Sequence, residues 1–275
     1  MATISAPSPS PSPFPWTEPG VVGRLRTAGC VFAEDEARLL LAAAQTPADL
    51  EFMLERRVAG EPLEYIVGWV QFCGLRIAID EGVFVPRQRT EFLVIEAARV
   101  ARPAATVLDL CCGSGAIGVA LAASLGAIEL HATDIEPAAV RCARRNLDPI
   151  GANVYHGDLF RPLPAALRGR IDVVVANVPY VPTDAISLMP PEAREHEPMV
   201  TLDGGADGLD ILRRVAAEAG PWLAPGGHVL IEIQQRQAAQ ATDAFGGGGL
   251  IARVASSDEF SATVVIGTKR AIQPA

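Results

Sequence analysis

Cysteine is scarce in this chain and does not fall into a ligand pattern. The 275 residues include five, Cys30, Cys73, Cys111, Cys112 and Cys142, and none of them forms a Cys-x-x-Cys pair. An odd number without that spacing argues against a disulfide framework and a structural zinc site, and it fits reduced thiols in a cytoplasmic protein. Histidine is as thin: His131, His156, His196 and His228 share no spacing that would gather a metal ion, so no metal site is expected. No apolar run approaches the length of a membrane span. The N-terminus lacks the basic start and apolar middle of a signal peptide. Positive charge is in the minority, with 23 Lys and Arg against 32 Asp and Glu and a net charge of -9. Without a basic recognition segment, tight nonspecific binding of nucleic acid is not expected. The Arg141, Arg144 and Arg145 cluster reads as a solvated helix face.

What remains is an ordinary globular composition, 49% hydrophobic and 20% charged, in a chain long enough for one large and one small domain. Residues 1–20 open on Ser-Pro repeats and are expected to form a mobile, partly polyproline-II tail. Residues 21–70 carry helical spacing and suggest a small helical domain. Within it, Thr46-Pro47-Ala48-Asp49 has the capping hydroxyl, first-turn proline and third-position acid of a helix start. Residues 71–90 read as a β-hairpin turning near Gly74 and a linker. Residues 91–275 alternate strands and helices, which implies a doubly wound α/β domain with a mostly parallel sheet. The last two strands, near 250–255 and 262–267, are joined by a turn too short for a parallel crossover and so form an antiparallel hairpin.

The first strand of that domain runs into Asp109-Leu110-Cys111-Cys112-Gly113-Ser114-Gly115 and on to Gly118. Glycines there allow a tight strand-to-helix turn and close approach of a ligand to the backbone. The second strand ends at Asp134-Ile135, facing the same crevice, where a carboxylate suits the two hydroxyls of a ribose. A nucleoside-containing ligand follows, and two are open. Gly113-x-Gly115-x-x-Gly118 formally matches the dinucleotide fingerprint of an NAD enzyme. S-adenosyl-L-methionine also explains Asp109, since an acid before the glycines suits the ammonium of a methionine and repels a pyrophosphate. Asp158, after the third strand, offers an acceptor to an adenine amino group, with Leu159 against the ring. Cys111 and Cys112 read as small packing residues rather than nucleophiles.

The fourth strand delivers Asn177-Val178-Pro179-Tyr180 to the carboxyl edge of the sheet, where ligands bind. An amide nitrogen is a poor nucleophile because its lone pair is delocalised. The Asn177 side-chain oxygen and the Val178 carbonyl offer two acceptors for its two hydrogens. Pro179 stiffens the turn, and Tyr180 presents a flat ring to a planar group.

These motifs together resemble the HemK/PrmC family, the glutamine-N5 methyltransferases of peptide chain release factors. Beyond the glycine loop and the turn, the resemblance rests on Glu61 to Gly68, Gly82 to Glu91, Glu197-Pro198 and Asp203 to Leu209. It implies a class I S-adenosylmethionine-dependent methyltransferase, with residues 111–115, Asp134 and Leu159 lining the cofactor. It also implies that Asn177 to Tyr180 hold the glutamine amide of a protein substrate such as a release factor. Three departures stand out. The family turn is Asn-Pro-Pro-Tyr, and Val178 replaces the first proline. The family's acidic residue in the entry loop is Arg89 here. The helical N-terminal domain looks shortened. Two rivals stay open: an adenine-N6 or other nucleic-acid amino methyltransferase using a similar turn, and a non-catalytic cofactor-binding paralogue.

Overall fold

The computed structural model describes residues 17–271, so the Ser-Pro repeats, and all of the expected 1–20 tail but residues 17–20, lie outside the described residues. Two compact units divide between Val67 and Gly68. In the first unit, helices α1 (Glu18–Thr27), α2 (Ala33–Ala43), α3 (Pro47–Val58) and α4 (Leu63–Val67) enclose a small core of Val21, Leu25, Leu40, Leu50, Leu54 and Ile66. Helix α1 starts inside the span expected to be tail. Thr17 caps it by accepting the Gly20 N–H, and Val21 and Leu25 bury on α1. Thr46 and Asp49 form the reciprocal capping box at the start of α3.

The second unit opens with strands β1 (Trp69–Phe72) and β2 (Leu75–Ala78), paired antiparallel. Both turn residues, Cys73 and Gly74, have positive φ, as a two-residue hairpin requires. Helix α5 (Glu91–Val100) then leads into an alternating series. It comprises β3 (Thr106–Leu110), α6 (Ala116–Leu125), β4 (Glu129–Asp134), α7 (Pro137–Leu147), β5 (Asn153–His156) and β6 (Ile171–Ala176). After β6 come α8 (Pro191–His196), α9 (Asp210–Glu218), β7 (Leu223–Ile233), α10 (Ala238–Gly247), β8 (Leu250–Ser257) and β9 (Ala262–Lys269). The seven strands lie in the order β5-β4-β3-β6-β7-β9-β8. Strands β3 to β7 pair parallel, and β9 runs antiparallel to both β7 and β8.

This order decides where a ligand goes. From β3 the chain steps outward through β4 to β5, then returns to β6 on the other side of β3. The crevice at the carboxyl ends of β3 and β6 is the topological switch point, the usual ligand site of such sheets. Both strands are buried along their whole length, Asp109 and Asp172 included, as the mostly apolar central strands of a parallel sheet are. Strand β7 takes in Gly226 and Gly227, and the register shift opposite Ile171 and Val173 absorbs Pro225 to Gly227. The 183–201 stretch, which shows no clear period, folds into short 3-10 turns and the six-residue α8.

Candidate active site

A cavity of about 820 Å³ opens at this switch point, within the size range of small-molecule sites. Its walls come from the glycine loop after β3, the end of β4, the turn after β6, the end of β7, and the entry loop before α5.

The glycine-loop flank is held by its own backbone. The Cys112 N–H donates to the Thr133 carbonyl at 3.0 Å and the Gly115 N–H to the Cys112 carbonyl at 2.7 Å. The Asn146 side chain, from α7, donates to the Ser114 carbonyl at 2.9 Å. Gly115 has φ +79° and a Cβ there would lie 2.8 Å from Leu147, so only glycine lets the loop close on α7. Gly113, φ +55°, faces open space, which leaves its backbone approachable. Its N–H donates to Asp134 Oδ2 at 2.8 Å, while the Glu136 N–H reaches Oδ1 at 2.9 Å. Each oxygen keeps a lone pair for a ligand hydroxyl. Burial raises the Asp134 pKa, and these two N–H groups oppose the shift. Ile135 lines the cavity and is 48% exposed, an apolar surface for a flat ring.

Asp109, Asp158 and Leu159 differ from expectation. Asp109 stands behind the loop rather than in the cavity wall. It is fully buried, and its Oδ2 accepts the Gly118 N–H at 2.9 Å. Its Oδ1 has no partner. Burial pushes its pKa well up, the Gly118 N–H opposes this, and the nearby Asp134 adds to it. Both Asp158 oxygens receive the Arg214 guanidinium, at 2.8 and 2.7 Å, which ties the carboxylate to α9 outside the cavity wall. Leu159 packs into the core beneath the sheet edge, and neither residue lines the cavity. Their place in the sequence, after a third strand, said nothing of an arginine arriving from α9. Cys111 and Cys112 carry thiols whose pKa burial pushes up, with the neighbouring carboxylates adding to it. Neither thiol ionises readily, so neither is a ready nucleophile.

On the other flank, β6 carries Asn177 into the cavity wall. The Asn177 side-chain amide donates to the Thr90 hydroxyl at 3.3 Å. That bond turns the carbonyl end, Oδ1, into the free acceptor. Among the described residues nothing donates to the Val178 carbonyl. The turn is backed closely by the 203–209 loop: a Cβ on Gly204 would lie 2.7 Å from the Pro179 carbonyl oxygen, and one on Gly208 2.2 Å from that of Tyr180. Gln237 clamps the same place, donating to the Tyr180 carbonyl at 3.1 Å and the Asp207 carbonyl at 3.1 Å. The Tyr180 hydroxyl donates to Glu232 at 3.4 Å and accepts from Arg89. Burial and then Glu232 raise its pKa, so it stays a neutral phenol.

The chain matches the family model described as Methyltransferase small domain over residues 75–189. It is 39% identical over 222 residues to the release factor glutamine methyltransferase of Geobacter sulfurreducens, covering 80% of this chain and 75% of that one. The chain belongs to the release factor glutamine methyltransferase family. A further relative, 35% identical over 246 residues, is the 4-amino-L-phenylalanine/4-methylamino-L-phenylalanine methyltransferase of Streptomyces pristinaespiralis, with 81% of this chain and 84% of that one covered. Among solved structures, a methyltransferase from Pyrococcus furiosus shares the fold with a TM-score of 0.55 at 17% identity, over 72% of this chain and 90% of that one. The release factor glutamine methyltransferase family is the HemK/PrmC family that the motifs resembled. This member is an S-adenosylmethionine-dependent methyltransferase. The cavity suits that cofactor: it has the volume, an open glycine backbone, a carboxylate with spare lone pairs and an exposed apolar side chain beside it. The NAD reading falls away.

Motif reading passed over Thr90, Asn146, Gln237 and Glu232. Only Glu232 carried a signal, as a lone acid following the apolar run Val229 to Ile231.

Proposed function

We propose that the enzyme methylates the side-chain amide nitrogen of a glutamine in a protein substrate, a peptide chain release factor by family kinship, in the cytoplasm. The observation that carries this reading is the pair of unpartnered carbonyl acceptors at the turn, Asn177 Oδ1 and Val178 O, at the rim of the cavity whose far flank holds Asp134.

S-adenosylmethionine, when bound, supplies an electrophilic methyl group on a sulfonium. Asp134 and Ile135 hold the nucleoside end, and Cys111 to Gly115 supply close backbone. Asp109 acts on the cofactor through the loop it braces rather than by direct contact. At the other flank, Asn177 and Val178 each accept one amide N–H, which localises density on nitrogen and fixes its direction. Tyr180 and Pro179 shape the slot for the planar amide. The methyl group that the cofactor would supply goes to the nitrogen that Asn177 and Val178 hold, and the proton that this nitrogen gives up passes to solvent. Positioning of this kind supplies much of the rate.

The test is transfer of a labelled methyl from S-adenosylmethionine to purified release factors and to lysate, with mass-spectrometric mapping. Label on a glutamine amide supports the proposal. Label on nucleic acid, or none on any acceptor, rejects it.

A further inference from the structure

Arg89 stands at the acceptor end of the cavity and has no task in the reading above. A guanidinium carries five N–H donors in a flat, rigid fork. The Arg89 Nε–H donates to Glu232 Oε1 at 3.1 Å, and one Nη2–H donates to the Tyr180 hydroxyl. These two contacts occupy one edge of the fork. Among the described residues the other three donors have no hydrogen-bond partner, and one on each terminal nitrogen lies along the outer edge.

The guanidinium is anchored from within and open outside. The Glu232 side chain is 3% exposed while that of Arg89 is 46% exposed. The next residue, Thr90, is the one that orients Asn177, so residues 89 and 90 together reach both ends of the turn, Arg89 at Tyr180 and Thr90 at Asn177. The neighbouring Arg87 is different, because buried Glu197 takes it up at 2.6 Å. Two parallel N–H groups on a fixed guanidinium edge match the two oxygens of a carboxylate.

We propose that the outer edge of Arg89 receives a carboxylate of the methyl acceptor, close to the reacting amide. This specificity contact rests on the amide reading of the site. The carboxylate comes either from an acidic residue beside the glutamine or from the α-carboxylate of a terminal glutamine.

Calorimetric titration of the S-adenosylhomocysteine-saturated protein tests this with two probe pairs. Acetyl-Glu-Gln-Glu-amide is set against acetyl-Ala-Gln-Ala-amide, and acetyl-Ala-Gln as free acid against its amide. The carboxylate member of one pair binds about 10- to 100-fold tighter, and which pair does so identifies the source. In Arg89→Gln that ratio falls to about one. Arg89→Lys keeps part of it, because the charge survives and the fork does not. A ratio within one protein sample is insensitive to general loosening, and S-adenosylhomocysteine affinity checks the fold of each variant. Ratios near one for both pairs in the wild type, no binding of any probe, or a ratio that survives Arg89→Gln overturns the proposal. A carboxylate preference without labelled methyl on any glutamine would reject the amide reading and leave the Arg89 contact standing.

Discussion

Replacing Gly208 by alanine adds one methyl group at the back of the acceptor turn. Two costs follow from the geometry. Gly208 has φ +77°, and a residue with a Cβ in that region costs about 1–2 kcal/mol. The new Cβ would also sit 2.2 Å from the Tyr180 carbonyl oxygen and 2.7 Å from Gln237 Nε2. The nearer atom is backbone, so the chain itself must shift, at about 1–3 kcal/mol for forced repacking. The sum is about 2–5 kcal/mol, or a fall of roughly 4–20 °C in Tm for a unit of this size. Function loses more selectively. A displacement of the turn approaching about 1 Å costs on the order of 100-fold in rate, while the glycine loop on the other flank is untouched. Scanning calorimetry, single-turnover transfer of labelled methyl and titration with S-adenosylmethionine measure the three effects separately. Full turnover in Gly208→Ala would show that the turn is not held from behind as described. Parallel loss of cofactor affinity would show that the two flanks are not independent.

Asn177→Ala removes one amide acceptor and should lower turnover by at least about 100-fold with cofactor affinity nearly unchanged, read by kcat against the Kd for S-adenosylmethionine. Asp134→Ala acts on the opposite flank and should weaken cofactor binding about 10- to 100-fold, measured by titration, through lost hydrogen bonds to a charged acceptor. Val178→Pro should leave turnover intact or raise it, because among the described residues the Val178 N–H has no protein acceptor to lose; a large loss in the same assay would show a turn unlike that of the relatives. Asp109→Asn should change the pH dependence of stability. The folded pKa of Asp109 is raised by burial above 3.8, so its contribution is fully present below 3.8 and is lost as pH rises through the folded value. Urea denaturation at a series of pH values should therefore show the variant gaining on the wild type as pH rises above 3.8, with no such trend if Asp109 ionises freely in the folded protein.

Much of the fold was legible because each element carries a local mark. Strands β3 and β6 are mostly apolar and β-branched, α3 has its capping box at Thr46, and Gly113 and Gly115 sit where the chain turns left-handed at the cavity. The acceptor turn was equally visible, since four successive residues carry it. What motif reading missed depends on residues brought together from distant parts of the chain. Thr90 meets Asn177, and Arg214 captures Asp158, across long stretches of sequence that no spacing rule connects. Asp109 illustrates a subtler limit. Its position at the end of β3 was read correctly, but its depth behind the loop is a matter of packing, and depth decides whether a carboxylate touches a ligand or braces the backbone that does.

The turn from Asn177 to Tyr180 is pressed from behind by the bare backbone of Gly204 and Gly208. On that side its placement is set by the route of the main chain, while Thr90, Gln237, Glu232 and Arg89 fix it through side chains elsewhere. Met189 and Val200 also line the cavity and make none of the hydrogen bonds that hold the turn. A site divided like this separates the chemistry from the address. Substitutions at Met189 and Val200 are expected to redirect the enzyme to a new acceptor while the carbonyls of Asn177 and Val178, which we propose hold the amide, stay where they are.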